Sequence, residues 1–378
     1  MDYDVVIAGG SVAGLLCARE VAKKNHRVLV IEEDYEIGTP EHCGGLVSVP
    51  AMDELGIIPM RSTLDNKVRS AFISSPSGKS FVLDARPQQV IVLDRREFDK
   101  QIAHQAKVNG AEIRVRSSLR EITKEGVRTS DGEIKCKIVV DARGVSSLIH
   151  KDRTGILQSA QYEVYADWID KERVEVYLDQ EKYPGFFAWV IPTRRDEAKV
   201  GVAGRGINAA VVLEEFLKGK GKYSTVRKIF APIWIKGPIK EFVKGNVVIV
   251  GDAAGQAKPT TAGGIYSSGL GGMLAGQAIS RFIESERDEH LLEYQKKWID
   301  RFGKEFEYML LARSLLERLD NKTIDSLFES ITPEVLNEIS KEGSFDFHTI
   351  SVAKLLGVKG SVRAIQSILG NELRRLLT

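Results

Sequence analysis

Cysteine is scarce in this chain. The three present in 378 residues, Cys17, Cys43 and Cys136, form no CxxC pair. That leaves nothing from which to build a disulfide framework or a structural zinc site, so no metal is expected, and it fits a reducing cytoplasm. An excess of one charge is also missing. Fifty-four basic residues against 52 acidic ones give a net charge of +2, so bulk electrostatics point neither to nucleic acid nor to an acidic partner. No apolar run approaches the roughly 18 residues that a membrane span needs. The opening MDYDVVIAGG carries acids where a secretory leader would carry lysine or arginine. A cytoplasmic protein is therefore the expectation, with peripheral contact at a membrane left open. Repeats and low-complexity linkers are absent as well. What remains is an ordinary globular composition, 43% hydrophobic and 28% charged, in a chain long enough for two domains or several packed layers.

What is present begins at once. DVVIAGGSVAGLLCAREVAKKNHRVLVIEED reads as strand, glycine turn, helix, strand: a β-rich run from Asp4 to Ala8, helical spacing from Ala13 to Lys24, and a second β-branched run from Arg27 to Ile31. Between the first two lies Gly9-x-Ser11-x-x-Gly14. Gly9 permits the tight turn, the middle position lets backbone approach a pyrophosphate, and Gly14 lets helix and strand pack closely. The pyrophosphate would rest on amides at the helix N-terminus, around Ser11 and Ala13. Glu32 closes the second strand, placed to accept hydrogen bonds from ribose hydroxyls. The whole arrangement points to a dinucleotide.

A second glycine-rich segment, GDAAGQAKPTTAGGIYSSGLGG, follows the apolar run Val247–Val250. Its glycines let backbone pass against a flat ring without side-chain interference. Together with VLDRREFDK (92–100) and VVDARGVSS (139–147), it resembles the FAD-binding motifs of flavoprotein reductases and hydroxylases. Within that superfamily, EHCGGLVS (41–48) and PGFFAWVIP (184–192) resemble the geranylgeranyl reductase family. The five motifs occur in the expected order over residues 1 to about 285.

The resemblance implies an α/β fold: a Rossmann-type FAD-binding domain from residues 1–60, 95–153 and 243–285, an antiparallel-sheet substrate domain from 61–94 and 154–242, and a helical C-terminal region, 286–378. It implies FAD as cofactor, with Asp252 on the ribityl chain. Gly264 and Ile265 would open a helix aimed at the pyrimidine edge, with Arg95 on the FAD and the Leu119 backbone at the adenine end. Asp141 and Gly144 would stand near the pyrophosphate. Cys43 would approach the isoalloxazine, with the following backbone at Gly44 and Leu46 on the cofactor. The family pattern P-x-x-Y-x-W-x-F-P is kept at Pro184, Trp189 and Pro192, while Phe187 replaces tyrosine and Ile191 replaces phenylalanine. Read as a strand from Tyr183 to Pro192, this stretch sets Phe187 and Trp189 on one face.

The implied activity is FAD-dependent saturation of prenyl (geranylgeranyl) double bonds in an isoprenoid lipid. Cys43, Trp189 and Phe187 are the catalytic candidates, and Tyr183 and Tyr266 further substrate contacts. A flavin-dependent hydroxylase or monooxygenase of the same fold, or a flavin-binding protein without catalysis, are the alternatives. No second GxGxxG stands beside a strand, so electrons must come from a ferredoxin, another reductase or weakly bound NAD(P)H. Amphipathic helical spacing runs from Ser280 to the C-terminus. There Lys354, Lys359, Arg363, Arg374 and Arg375 are either solvated or a contact for anionic lipid head groups.

Overall fold

The computed structural model describes residues 2–149 and 151–348; the basic residues from Lys354 to Arg375 lie outside the described residues. The first strand, Tyr3–Ala8, pairs in parallel with Val28–Ile31 on one side and Gly132–Asp141 on the other. Glu112–Arg114 and Val247–Ile249 extend this parallel sheet outward. Residues 5–8, Val28–Ile31 and Val247–Ile249 are unbroken apolar runs because both faces of the sheet are covered there. Val5, Ile7, Val28 and Val30 face a core shared with three helices, Val12–Ala22, Arg95–Val108 and Ile265–Ser285. Val6, Ala8, Leu29 and Ile31 face the opposite way, against the antiparallel hairpin Leu119–Ile122 and Gly126–Thr129.

The helices Val12–Ala22 and Ile265–Ser285 touch backbone to backbone. A Cβ on Gly272 would stand 2.0 Å from the Ala13 carbonyl oxygen. Both helices point their N-termini toward the end of the sheet where its central strands finish, which is where open α/β sheets bind ligands.

The second sheet runs Ser224–Trp234, Ile156–Tyr165, Glu197–Gly204, Ala188–Arg194, Arg173–Tyr177, Ser70–Ser74, Ser80–Asp84. It departs from the expected antiparallel pattern at one pair, since Arg173–Tyr177 and Ser70–Ser74 run parallel. One face, with Tyr162, Ala188, Val190 and Val200, is closed by the helix Ala209–Lys220. That helix is capped by the Asn208 side chain, which accepts the Val211 N–H. The other face looks toward the glycine-rich segments. A small sheet of Leu46–Ser48, Val90–Leu93 and Leu64–Lys67 joins the two large ones.

The stretch expected to be a strand from Tyr183 begins instead as a turn, with Gly185 at φ +72°, and the strand starts at Ala188. Phe187 and Trp189 still share a side, because Ala188 and Val190 are buried on the opposite face. The helix Glu289–Arg318 packs along Leu291, Tyr294, Trp298, Phe302, Phe306 and Met309, the spacing of one helical face. Trp298 Nε1 donates to the Ser267 carbonyl at 3.0 Å and the Tyr294 hydroxyl to the Ile249 carbonyl at 2.8 Å, which presses this helix onto the second glycine-rich segment. Two shorter helices follow, Asn321–Ser330 and Pro333–Glu342. Among the described residues no helix is long and apolar enough to cross a membrane, and no group of three or more His, Cys, Asp or Glu is arranged to hold a metal.

Candidate active site

Gly9 turns with φ +114°, and a Cβ there would meet the Ala142 carbonyl oxygen at 2.3 Å. The chain can therefore cross the neighbouring strand end only as glycine. Ser11 caps the first helix in an extended conformation without its hydroxyl bonding the helix amides, which leaves those donors for an anion. The hydroxyl lies instead between Arg95 Nη2, at 3.1 Å, and Asp99 Oδ2, at 3.2 Å. Burial works against the Arg95 charge, but Asp99 and then Cys43 outweigh it and raise the guanidinium above its ordinary value. A fixed cation thus stands beside the helix N-terminus, as a pyrophosphate requires. Glu32 accepts the Gly10 N–H at 2.6 Å and the Asp34 N–H at 3.0 Å, holding its carboxylate at the strand end expected for ribose.

Asp252 follows the strand Val247–Ile249 inside a short 3-10 turn, Gly251–Ala254. Burial pushes its carboxyl above the usual range, against the opposing effect of Ser268, whose hydroxyl donates to it at 3.2 Å. A half-buried carboxyl with spare acceptor positions suits a polyhydroxyl chain. Gly264 caps the helix Ile265–Ser285 beside it, close enough that a Cβ would stand 3.0 Å from Asp252 Oδ1.

The Cys43 loop meets the second sheet directly. Gly45 N–H donates to Cys43 Sγ at 3.4 Å, and Gln161 Nε2 donates to the Cys43 carbonyl at 3.5 Å. The same Gln161 accepts from Trp189 Nε1 at 3.2 Å, so one amide braces both the thiol loop and the indole. Gly44 lies against Ile191, the residue standing where the family pattern has phenylalanine. Phe187 stacks on Phe186, with centroids 4.1 Å apart, and sits edge-on to Trp189 at 6.1 Å. Ala262, from the loop that leads into Gly263 and Gly264, packs in this same apolar cluster. Cys43, Trp189, Phe187 and the entry to the Gly264 helix are thereby brought together.

A family model described as lycopene cyclase protein matches residues 4–195. Digeranylgeranylglycerophospholipid reductase 2 of Methanothermobacter thermautotrophicus is 31% identical over 365 residues, which cover 90% of this chain and 94% of that protein. The chain belongs to the geranylgeranyl reductase family of FAD-dependent oxidoreductases. The crystal structure of a geranylgeranyl bacteriochlorophyll reductase-like protein from Thermoplasma acidophilum matches with a TM-score of 0.86 at 25% identity, over 98% of each chain. A flavin-dependent brominase, at 17% identity and a TM-score of 0.71, shares the fold.

The cradle of this geranylgeranyl reductase family member fits FAD on its own geometry. Gly9, the amides after Ser11 and Arg95 would hold the pyrophosphate, Glu32 the ribose, Asp252 the ribityl chain, and the Gly264 helix start the pyrimidine edge. Not every expected residue joins the wall. Tyr266 lies around a small cavity with Leu46, Ile265 and Lys258, closed by Phe302, Phe306 and Asp346. Its hydroxyl is held by Glu54 and by Arg301 Nη2, and it belongs to a different cluster from Phe187 and Trp189. Tyr183 faces the helix Ala209–Lys220 and packs edge-on to Phe216, so it supports the sheet from behind. Leu119, expected by its backbone at the adenine end and not in the wall, sits in the hairpin that covers the back of the parallel sheet.

Sequence reading passed over four residues: Gly10, Gln161, Ala262 and Arg313. The doubled glycine at 9–10 was the available signal for the first. Arg313, buried in the helix Glu289–Arg318, donates to the Pro259 carbonyl at 3.2 Å and the Gly185 carbonyl at 2.7 Å. It ties the second glycine-rich segment to the turn that precedes Phe187 and Trp189.

The segment after the last described helix closes over the loop at Lys258–Thr260. Lys258 Nζ donates to the Phe345 carbonyl at 2.9 Å, Ser48 donates to Asp346, and Thr260 Oγ1 lies 2.9 Å from His348 Nδ1. Burial, then the Lys258 charge, pushes His348 down from 6.5 to about 3. A histidine depressed on folding contributes stability that is fully present above 6.5 and declines as pH falls toward 3. The wild-type melting temperature should therefore drop more between pH 7.5 and pH 5 than that of His348→Gln, whose amide stays neutral throughout. Parallel melting curves at the two pH values check this.

Proposed function

We propose that the protein is an FAD-dependent reductase that saturates prenyl double bonds of an isoprenoid lipid. The observation carrying this reading is the Gln161 brace, which sets Trp189 against the Cys43 loop, with Phe187 and Ala262 completing an apolar cluster beside the Gly264 helix. The named substrates of the relatives point the same way.

An isolated prenyl double bond is electron-rich and has no carbonyl to receive electrons, so hydride alone would leave an unstabilised carbanion. Saturation proceeds more readily if a proton reaches the alkene as positive charge develops on the tertiary carbon. Reduced FAD, when bound, supplies the hydride. The aromatic faces of Trp189 and Phe187 attract that developing positive charge, and the apolar cluster around them keeps water away from it. Phe187 carries no hydroxyl, so the proton path differs from that of relatives with tyrosine there. Cys43 would relay the proton or tune the flavin. The Gly264 helix N-terminus would offer its partial positive charge to the pyrimidine edge of FAD, when bound.

Electrons arrive from a ferredoxin, a reductase or NAD(P)H, and a lipid tail brings the protein to a membrane surface as a peripheral visitor. The test is anaerobic incubation of photoreduced enzyme with a geranylgeranyl glycerophospholipid. Flavin reoxidation with appearance of the saturated lipid is expected. No reoxidation and no saturated product would overturn the reading, and product formation that requires oxygen would favour a monooxygenase.

A further inference from the structure

We propose that Glu41 is a positioning residue that sets where the Cys43 thiol stands between the flavin site and the aromatic wall. This rests on the reading of Cys43 as part of the active site. On the inner face of the second sheet, Ile191, Lys199, Glu163 and Arg227 form one cross-strand row. It lies beside the row of Trp189, Gly201 and Gln161. The Glu41 carboxylate is seated on the first of these rows. Oε1 takes Lys199 Nζ at 2.5 Å and the backbone N–H of Arg95 at 3.0 Å. Oε2 faces Arg227 Nη2 at 3.1 Å and Arg96 Nε at 3.5 Å. Arg227 is shared with Glu163. The Glu41 side chain is 1% exposed and that of Lys199 is 3% exposed.

One carboxylate thereby joins four elements: the loop before Cys43, the N-terminus of the helix Arg95–Val108, and the strands Glu197–Gly204 and Ser224–Trp234. Arg95 is the junction to the cofactor, since its backbone is held by Glu41 while its guanidinium holds Ser11 and Asp99. Cys43 follows Glu41 by two residues, and Gln161 and Leu93 hold the loop on its far side, through the carbonyls of Cys43 and Gly45. The loop is pinned at both ends with the thiol between. Removing the Glu41 charge strands the buried Lys199, and an uncompensated buried charge draws in water and displaces its surroundings. The surroundings here are the Cys43 loop. The other acids nearby do not supply a substitute anchor, because Glu163 already serves Arg227, Asp94 caps the helix that starts at Arg95, and Asp65, which also feels Lys199, is paired with Arg194.

The test uses FAD-loaded wild type, Glu41→Gln, Glu41→Asp and the double variant Glu41→Leu with Lys199→Met, which removes both charges together. Two readouts are taken: the rate of Cys43 alkylation by iodoacetamide, followed by mass spectrometry, and kcat with KM for the prenyl lipid. Cys17 and Cys136 are buried and report by their silence that the fold is intact. In Glu41→Gln, Cys43 alkylation should rise about 10-fold and kcat fall about 100-fold, with KM within about threefold, since misplacing a group by an ångström has effects of this size. Glu41→Asp should return part of both. Where the single variant does not fold, the double variant strands no charge and so can fold, yet it still lacks the Glu41 ties to the Arg95 backbone and to Arg227 that pin the loop, and it carries the same expectation. A folded, flavin-loaded variant whose alkylation rate and kcat both stay within about twofold of wild type overturns the proposal. If wild type reduces no prenyl lipid, the proposed function fails, and the alkylation rates still decide whether Glu41 places Cys43.

Discussion

Gly272→Ala should leave the protein colourless. The added methyl would stand 2.0 Å from the Ala13 carbonyl oxygen, 2.8 Å from its carbon and 2.9 Å from the Ala13 Cα, all atoms of a helix backbone that cannot rotate away. One turn further on, a Cβ at Gly276 would be 2.6 Å from the Cys17 carbonyl oxygen, so the two helices have no slack along this line. They must separate. In the proposed cradle their N-termini would hold the two ends of FAD, one the pyrophosphate and one the pyrimidine edge, and a shift between them would spoil both contacts at once. Overpacking of this kind destabilises by about 3 kcal/mol, and flavin absorbance per chain should fall to the background of free FAD. Gly269→Ala is the control in the same helix. The nearest atoms to its methyl are side-chain ends, those of Leu16, Leu55 and Val12 at 3.1 Å, which can give by a few tenths of an ångström, so the change should stay within about 1 kcal/mol with flavin retained. Chemical denaturation and the flavin-to-protein absorbance ratio measure both. If Gly272→Ala binds FAD as wild type does, the two-helix cradle is misread.

The contrast between these two glycines shows which parts of the molecule a sequence can disclose. Gly9, Gly14 and Glu32 are legible because the turn, the helix and the returning strand are neighbours in the chain, and their physics is local. Gly264 and Asp252 are legible for the same reason, the acid standing at a strand end and the glycines at a helix start. Gln161 is not. In QYEVYADWI it is one polar residue in an alternating strand, and its meaning comes from register: it pairs with Gly201 and so meets Trp189 and the Cys43 loop. Tyr266 failed to join the wall for a similar reason. The partners that turn its hydroxyl away, Glu54 and Arg301, come from segments distant in sequence. Arg313 reads as one more charge on an amphipathic helix, and only its two carbonyl partners, Pro259 and Gly185, reveal what it holds. Gln161 and Arg313 share this property: each joins segments distant in the chain, where pairing is set by tertiary contact and not by local propensity.

Gly201 offers the decisive experiment on the wall itself. Trp189 lies across it, with the place of a Cβ 2.3 Å from indole Cζ2 and 2.4 Å from Cε2. In Gly201→Ala the ring must lift from the sheet, and as it lifts Nε1 leaves Gln161. The methyl does not disturb a helix crossing; it also comes 2.8 Å from the Ala160 carbonyl oxygen, which the adjoining strand Ile156–Tyr165 must absorb by a small shift, so FAD binding should persist with a stability loss of about 3 kcal/mol. Turnover is another matter. A displaced indole no longer presents its face where positive charge develops, and kcat should fall about 100-fold while flavin content stays stoichiometric. Gln161→Leu separates the two effects of that displacement: it removes the brace to Trp189 and Cys43 without a methyl under the ring, so a smaller loss of about 10-fold is expected. Should Gly201→Ala reduce prenyl lipid at the wild-type rate with Trp189 fluorescence visibly altered, the indole face takes no part in the chemistry, and the charge must be stabilised elsewhere along the cleft.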